Sequence, residues 1–81
     1  MLITIRLFAM LKDKAGVSEL KLDLPEGSTV ASAVDAARER LPAIAEHTRS
    51  SAFAVNREYA QATTALKNSD EVAIIPPVSG G

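Results

Sequence analysis

The chain of 81 residues contains no cysteine, which excludes disulfide bonds, a thiolate nucleophile and cysteine-based metal sites. Nine basic and ten acidic residues leave a net charge of −1, and the lysines and arginines form no cluster that could follow a phosphate backbone. No segment approaches the roughly 20 apolar residues that a membrane span needs. We therefore expect neither nucleic acid nor a membrane as a partner.

The first residues, MLITIRLF, lack the basic lead and the long apolar core of a signal peptide. The composition, with 47% hydrophobic and 23% charged residues, is typical of an ordinary globular domain. We therefore expect one soluble, cytoplasmic domain.

Two segments near the start alternate apolar and polar residues, as strands do. They cover residues 2–8 and 18–24. Their apolar positions are Ile3, Ile5, Leu7, Leu20, Leu22 and Leu24. The intervening AMLKDKAG predicts a single helical turn that ends at Gly16, because glycine readily adopts the left-handed conformation of a helix end. The two strands are expected to form a hairpin with a long connection.

The segment LPEGSTV predicts a turn followed by a helix, with Ser28 or Thr29 as the N-terminal cap. The apolar stripe of this helix consists of Val30, Ala33, Val34, Ala37 and Leu41. Pro42 cannot continue the helix, so a polar loop is expected through Ser51.

The part of the sequence after Ser51 predicts short strands. AFAVNREYAQA favours a hairpin that turns at Asn56 and Arg57, with Phe53 and Val55 facing the core. Residues 68–70 predict a turn, and a last strand follows in which Val72 and Ile74 alternate with Ala73 and Ile75. This order of elements indicates an α+β domain in which one main helix crosses a mixed sheet.

The side chains provide no self-contained active site. His47, the only histidine, lies in a polar stretch without a catalytic partner, and the acidic residues show no metal-ligand spacing. No serine or threonine lies in a nucleophile motif, and no glycine-rich phosphate loop is present. The chemically distinctive group is the C-terminal carboxylate, which is presented at the end of Gly80-Gly81.

Two interpretations of residues 76–81 are open. Small terminal residues usually fray and have no function. Pro76 and Pro77, however, favour an extended path that holds the carboxylate roughly 20 Å from the last strand at ~3.1 Å per residue. Gly80 and Gly81 have no Cβ, so another protein can close around the last two peptides.

The segments LPEGSTV, AVNREY and DEVAIIPPVSGG together resemble the small, sulfur-carrying subunits of molybdopterin synthases, which are β-grasp relatives of ubiquitin. The resemblance covers essentially the whole chain. It implies a β-grasp domain over residues 1–75 and an extended tail over residues 76–81. The sequence departs from this resemblance at Asn68-Ser69-Asp70, where many relatives have Gly-Asp. We expect Asn68 to adopt the turn conformation that the glycine would supply.

The resemblance also implies a mechanism in which Gly81 is the working residue. A separate activating enzyme would use ATP and magnesium to adenylate its carboxylate, and a sulfur donor protein would convert the adenylate into a thiocarboxylate. The carrier would deliver this sulfur to cyclic pyranopterin monophosphate on the large synthase subunit, within a heterotetramer, to build the dithiolene of molybdopterin. The chain itself would be non-catalytic alone and would bind no metal or cofactor.

The resemblance further implies which residues meet the partners. The tail residues expected in a partner's channel are Pro76, Pro77, Val78, Ser79 and Gly80. The residues expected to dock are Phe8, Met10, Leu11 and Ile75. Phe8, Met10 and Leu11 have an alternative role as a small internal cluster under the Lys12–Gly16 loop.

Other functions fit the same tail. A ubiquitin-like modifier would use the same acyl-adenylate but form an isopeptide with a lysine, and the sulfur carrier of the thiamine pathway shares the Gly-Gly end. A plain binding module would have an inert tail.

Overall fold

The computed structural model describes residues 1–77, which form a five-stranded mixed sheet and two α-helices. The strands are β1 (Leu2–Leu7), β2 (Glu19–Asp23), β3 (Ala52–Val55), β4 (Glu58–Ala60) and β5 (Glu71–Ile75), and the helices are α1 (Ala9–Ala15) and α2 (Val30–Arg40). Two short 3₁₀ helices cover Pro42–Ile44 and His47–Ser50. The predicted α+β class and the single main helix are confirmed.

The strand order is β2-β1-β5-β3-β4. The central pair, β1 and β5, is parallel, with Leu7 opposite Ile74, and the other three pairs are antiparallel. Because β1 and β5 run in the same direction, the residues that follow them leave the sheet at the same edge. Phe8, which follows Leu7, therefore lies beside Ile75 at the end of β5, although the two residues are far apart in the sequence.

The hydrophobic core lies between α2 and one face of the sheet. It contains the predicted apolar positions of β1 and the α2 stripe, of which Ile3, Ile5, Val30, Ala33 and Ala37 are completely buried. Phe53 and Val55 pack against this core from β3, as the alternation predicted. The opposite face of the sheet, here called the outer face, carries the alternate residues of each strand.

The predicted ends of the two helices are confirmed. The Thr29 hydroxyl accepts a hydrogen bond from the Ser32 backbone N–H, and the Ser32 hydroxyl accepts one from the Thr29 N–H, both at 3.3 Å. This reciprocal capping satisfies two of the N–H groups that a helix start leaves free. The first helix is longer than the single turn expected, and it ends at Gly16, whose φ is 77°.

The expected polar loop through Ser51 is structured. Ile44 and Thr48 are both completely buried. The Thr48 hydroxyl accepts a hydrogen bond from Arg38 Nε (2.6 Å) and donates one to the Ala45 carbonyl (2.7 Å), so its burial leaves no polar atom unpaired. The connection is therefore part of the core.

The turn before β5 differs from the expectation for Asn68. Ser69, not Asn68, takes the left-handed conformation, with φ of 73°. The Asn68 side chain instead accepts a hydrogen bond from the Leu2 N–H (2.7 Å), and the Ser69 N–H donates to the Leu2 carbonyl (2.7 Å). This turn therefore ties the entrance of β5 to the start of β1.

Because Ser69 and Asn68 have different roles in this turn, glycine at the two positions is expected to change the free energy of unfolding in opposite directions. Ser69→Gly is expected to raise the free energy of unfolding by about 0.5–1 kcal/mol, because it removes the Cβ from a left-handed position. Asn68→Gly, the matched control, should lower it, since the acceptor for Leu2 N–H is lost. Urea unfolding measures both. A stabilising Asn68→Gly would contradict this description of the turn.

Candidate functional site

A depression of about 450 Å³ opens on the outer face of the sheet, beside the ends of β1 and β5. It is lined by Arg6, Phe8, Ala54, Arg57, Tyr59, Glu71, Ala73 and Ile75. We call it the outer groove. Its concavity follows from the strand register, which places small residues in the middle and larger ones around them.

The floor of the outer groove consists of two alanines on neighbouring strands. Ala54 of β3 lies opposite Ala73 of β5, and the register then sets Tyr59 of β4 beside Ala54 and Arg6 of β1 beside Ala73. Paired residues project from the same face of a sheet. The methyl groups are thus flanked on both sides by long side chains, and this difference in length forms the depression.

The rim carries large apolar side chains that contact little within the described chain. Tyr59 is 82% exposed and Phe8 is 47% exposed. Ile75 is half-buried at the end of β5. Exposed apolar side chains grouped around a concavity are typical of a protein interaction site, because their transfer from water stabilises a complex.

An ion pair spans one wall of the outer groove. Arg6 Nε donates a hydrogen bond to Glu71 Oε2 at 3.1 Å. This hydrogen bond and the charge of Glu71 raise the pKa of Arg6 above its ordinary value. Arg6 is therefore charged at every physiological pH.

The turn between β3 and β4 forms another wall and is fixed by side-chain hydrogen bonds. Asn56 Nδ2 donates to Asp70 Oδ1 (2.9 Å), and Asn56 Oδ1 accepts from the Glu71 N–H (3.0 Å). The turning residues are Asn56 and Arg57, as predicted, with φ of 50° and 72°. Both values fit a type I′ turn, which matches the twist of a hairpin.

The predicted docking residues separate in the structure. Phe8 and Ile75 line the outer groove, whereas Met10 is exposed outside its lining. Leu11 is completely buried in the core, so its prediction as a docking residue is wrong. In a helix of seven residues, Met10 and Leu11 are neighbours in sequence but point in directions about 100° apart.

The predicted tail residues have different positions. Pro76, which was expected in a partner's channel, is buried against its own domain, and Pro77 is exposed. Val78, Ser79, Gly80 and Gly81 lie outside the described residues. The chain therefore leaves the domain surface directly beside the outer groove.

Sequence reasoning missed most of the groove lining: Arg6, Ala54, Arg57, Tyr59, Glu71 and Ala73. The signal that could have found them is the strand alternation itself. Residues that alternate with the core positions of β1, β3 and β5 must lie on the outer face. Which of them become neighbours depends on the pairing register between the strands, which the sequence alone does not reveal.

Within residues 1–77, no group of three or more histidine, aspartate or glutamate side chains is placed to hold a metal ion. None of the helices in this part of the chain is long and apolar enough to cross a membrane. His47 is half-buried near α2, and its carbonyl accepts a hydrogen bond from the Ser51 hydroxyl (2.9 Å).

Comparison with known proteins decides the family. The model of the ThiS family matches residues 5–81. The chain belongs to the ThiS family. A relative from Arabidopsis thaliana, a molybdopterin synthase sulfur carrier subunit, is 37% identical over 79 residues, which are 98% of this chain and 82% of the relative.

Solved structures similar to this ThiS-family chain confirm the β-grasp fold. The small archaeal modifier protein 1 of Haloferax volcanii is 31% identical, with a TM-score of 0.90 and full coverage of both chains. A chain in the complex of subunits 1 and 2 of the Helicobacter pylori molybdopterin-converting factor is 21% identical, with a TM-score of 0.71 and full coverage of both chains. The last likeness concerns the fold alone.

Proposed function

We propose that this chain is the sulfur carrier of a molybdopterin synthase. The observation that carries the proposal is its 37% identity to a molybdopterin synthase sulfur carrier subunit over 98% of its length. The PPVSGG end supports it, because two prolines favour an extended approach and two glycines leave a narrow tip.

The proposed chemistry takes place at Gly81. Its α-carboxylate, ionised at neutral pH, attacks the α-phosphorus of ATP in the activating enzyme, and pyrophosphate leaves. Sulfide then attacks the acyl carbon, a C–S bond forms, and AMP departs with the former carboxylate oxygen. The product is a thiocarboxylate. Activation is needed because an unmodified carboxylate has no good leaving group.

The thiocarboxylate then delivers sulfur on a large synthase subunit, where the catalytic side chains lie in this proposal. Two successive carriers convert cyclic pyranopterin monophosphate into a dithiolene. ATP and magnesium act at the activating enzyme, and the assembly with the large subunit is a heterotetramer. The relative from Arabidopsis thaliana is named as a subunit of a molybdopterin synthase, which supports a partner subunit for this chain.

The outer groove is the proposed docking surface for that partner. It lies beside the point where Pro77 leaves the domain, so a protein that covers Phe8, Tyr59 and Ile75 can also receive the tail. The activating enzyme must receive the same tail. The two partners therefore bind one after the other and compete for the carrier.

Intact-mass spectrometry tests the proposed function. After incubation with the activating enzyme, ATP, magnesium and sulfide, the chain should gain the mass difference between one sulfur and one oxygen atom. Fragmentation should locate this change at Gly81. Addition of the large subunit and cyclic pyranopterin monophosphate should return the mass to its original value. An unchanged mass in the first step would contradict the proposal.

A second candidate is a protein modifier, favoured by the 31% identity to small archaeal modifier protein 1. Such a role begins with the same adenylate but ends with an isopeptide bond between Gly81 and a lysine of a target. Affinity-tagged chain expressed in its own cell should then appear in covalent adducts that resist thiols. Free carrier in thiocarboxylate form, without such adducts, indicates sulfur transfer alone.

A further inference from the structure

Arg57 is a charged side chain on the rim of the outer groove without a partner in the described chain. It makes no ion pair and no side-chain hydrogen bond with any of residues 1–77. The other two charged residues of the groove, Arg6 and Glu71, neutralise each other at 3.1 Å. The groove therefore presents one uncompensated positive charge next to its apolar surface.

Arg57 also holds an unfavourable backbone conformation. Its φ is 72°, in the region that glycine occupies at least cost, and it is the second residue of a type I′ turn. Asn-Gly would form the same turn with less strain, whereas Asn56-Arg57 keeps a long cation there. A strained residue at an exposed site indicates a function that offsets its cost.

The turn is held in place, so the Cα of Arg57 has a defined position relative to the groove. Asn56 is fixed by Asp70 at 2.9 Å and by the Glu71 N–H at 3.0 Å, and Asp70 Oδ2 itself accepts from the Lys67 N–H at 2.8 Å. These contacts hold the turn through Asn56 and the segment of residues 67–71. None of them involves the Arg57 side chain, which is therefore able to turn toward a partner.

We propose that Arg57 binds a carboxylate of the large subunit, placed at the rim while an apolar side chain of the same subunit fills the groove over Ala54 and Ala73. This inference rests on the proposed function and names the chemistry of its partner surface. A guanidinium matches a carboxylate with two parallel hydrogen bonds, and the surrounding Tyr59 and Phe8 exclude water from the pair. The charge selects partners with an acidic residue at this place.

Binding to the large subunit of the same organism's molybdopterin synthase tests the proposal, measured by calorimetry with full-length chain and without substrate. Arg57→Gln should weaken binding by about 3–10-fold and Arg57→Glu by at least about 10-fold, while Arg57→Lys should retain only part of the affinity, because an ammonium group keeps the charge but not the two parallel hydrogen bonds. The salt dependence of binding should be smaller for Arg57→Gln than for the wild type. Because no substrate is present, a phosphate group cannot account for these losses.

Two controls separate charge at this place from other effects. Arg49→Glu makes the same charge change as Arg57→Glu at an exposed position of the 3₁₀ helix His47–Ser50, outside the lining of the outer groove, and should leave binding within about twofold. Arg57→Gly should raise the urea midpoint by relieving the strain and still weaken binding. A loss of affinity in a more stable variant cannot come from unfolding.

The outcomes are distinct. If the wild type binds the large subunit and all Arg57 variants bind equally well, or Arg49→Glu weakens binding as much as Arg57→Glu, the inference is overturned while the proposed function stands. If the wild type neither binds the large subunit nor acquires sulfur, the proposed function is contradicted, and the inference that rests on it is overturned as well. If the isolated chain dimerises in sedimentation experiments, and Arg57→Glu abolishes the dimer but not large-subunit binding, the groove accepts a second copy and the inference is again overturned.

Discussion

Removal of Gly80 and Gly81 is expected to abolish thiocarboxylate formation and sulfur transfer completely, without lowering the free energy of unfolding by more than about 0.5 kcal/mol. The reactive carboxylate would then stand on Ser79, about 7 Å short of its original reach in an extended chain. Every residue of the described core precedes Pro77, so the deletion removes none of these core residues. Intact mass after activation and a coupled sulfur-transfer assay measure the two activities.

The shortened chain retains the outer groove and should therefore still occupy the large subunit. It is expected to inhibit sulfur transfer from the wild-type thiocarboxylate, and excess wild-type carrier should relieve the inhibition. Ser79→Ala is the matched control, because it changes the same segment without changing its length, and it should keep at least about half of the activity. Sulfur acquired by the shortened chain would show that the position of the carboxylate is not essential.

The comparison of sequence with structure shows where local patterns suffice. The alternation in β1 and the stripe of α2 were predicted because burial on one face imposes a period that the chain must follow. Gly16 and the Asn56-Arg57 turn were predicted from backbone conformations that few residues adopt. These features depend on neighbours along the chain, which the sequence displays directly.

The errors arise where distant segments decide the outcome. Thr48 was placed in a polar loop because its burial depends on Arg38 Nε and the Ala45 carbonyl, which pair its hydroxyl after folding. Ser69 adopts the left-handed conformation because Asn68 is held by the Leu2 N–H, a contact across 66 positions. No period in the sequence encodes either interaction.

The candidate site combines both situations. Phe8 and Ile75 could be predicted because they lie at the ends of alternating strands, beside the exit of the tail, where the proposed partner would bind. Tyr59 and Arg57 could not, since β4 has only three residues and its pairing with Ala54 appears only in the register. The tail is therefore evident in the sequence, whereas the surface that directs it to a partner is a property of the fold.

Leu11→Ala is expected to lower the free energy of unfolding by about 2–4 kcal/mol, whereas Met10→Ala should lower it by less than about 0.5 kcal/mol. Leu11 is completely buried in a core that also includes Ile44, and α1 packs against the 3₁₀ helix that contains Ile44. Met10 is 40% exposed, so its truncation leaves no closed cavity. Urea unfolding at one temperature measures both changes.

The effect of Leu11→Ala is large for a domain of 81 residues, whose total stability is about 4–12 kcal/mol. Weaker binding of this variant to the large subunit could therefore reflect unfolded chain and not a lost contact. Binding at the temperature of greatest stability, expressed per folded molecule, should match the wild type within about twofold. A larger loss that persists in fully folded Leu11→Ala would return Leu11 to the docking surface, and equal stability losses for the two variants would contradict the burial that separates them.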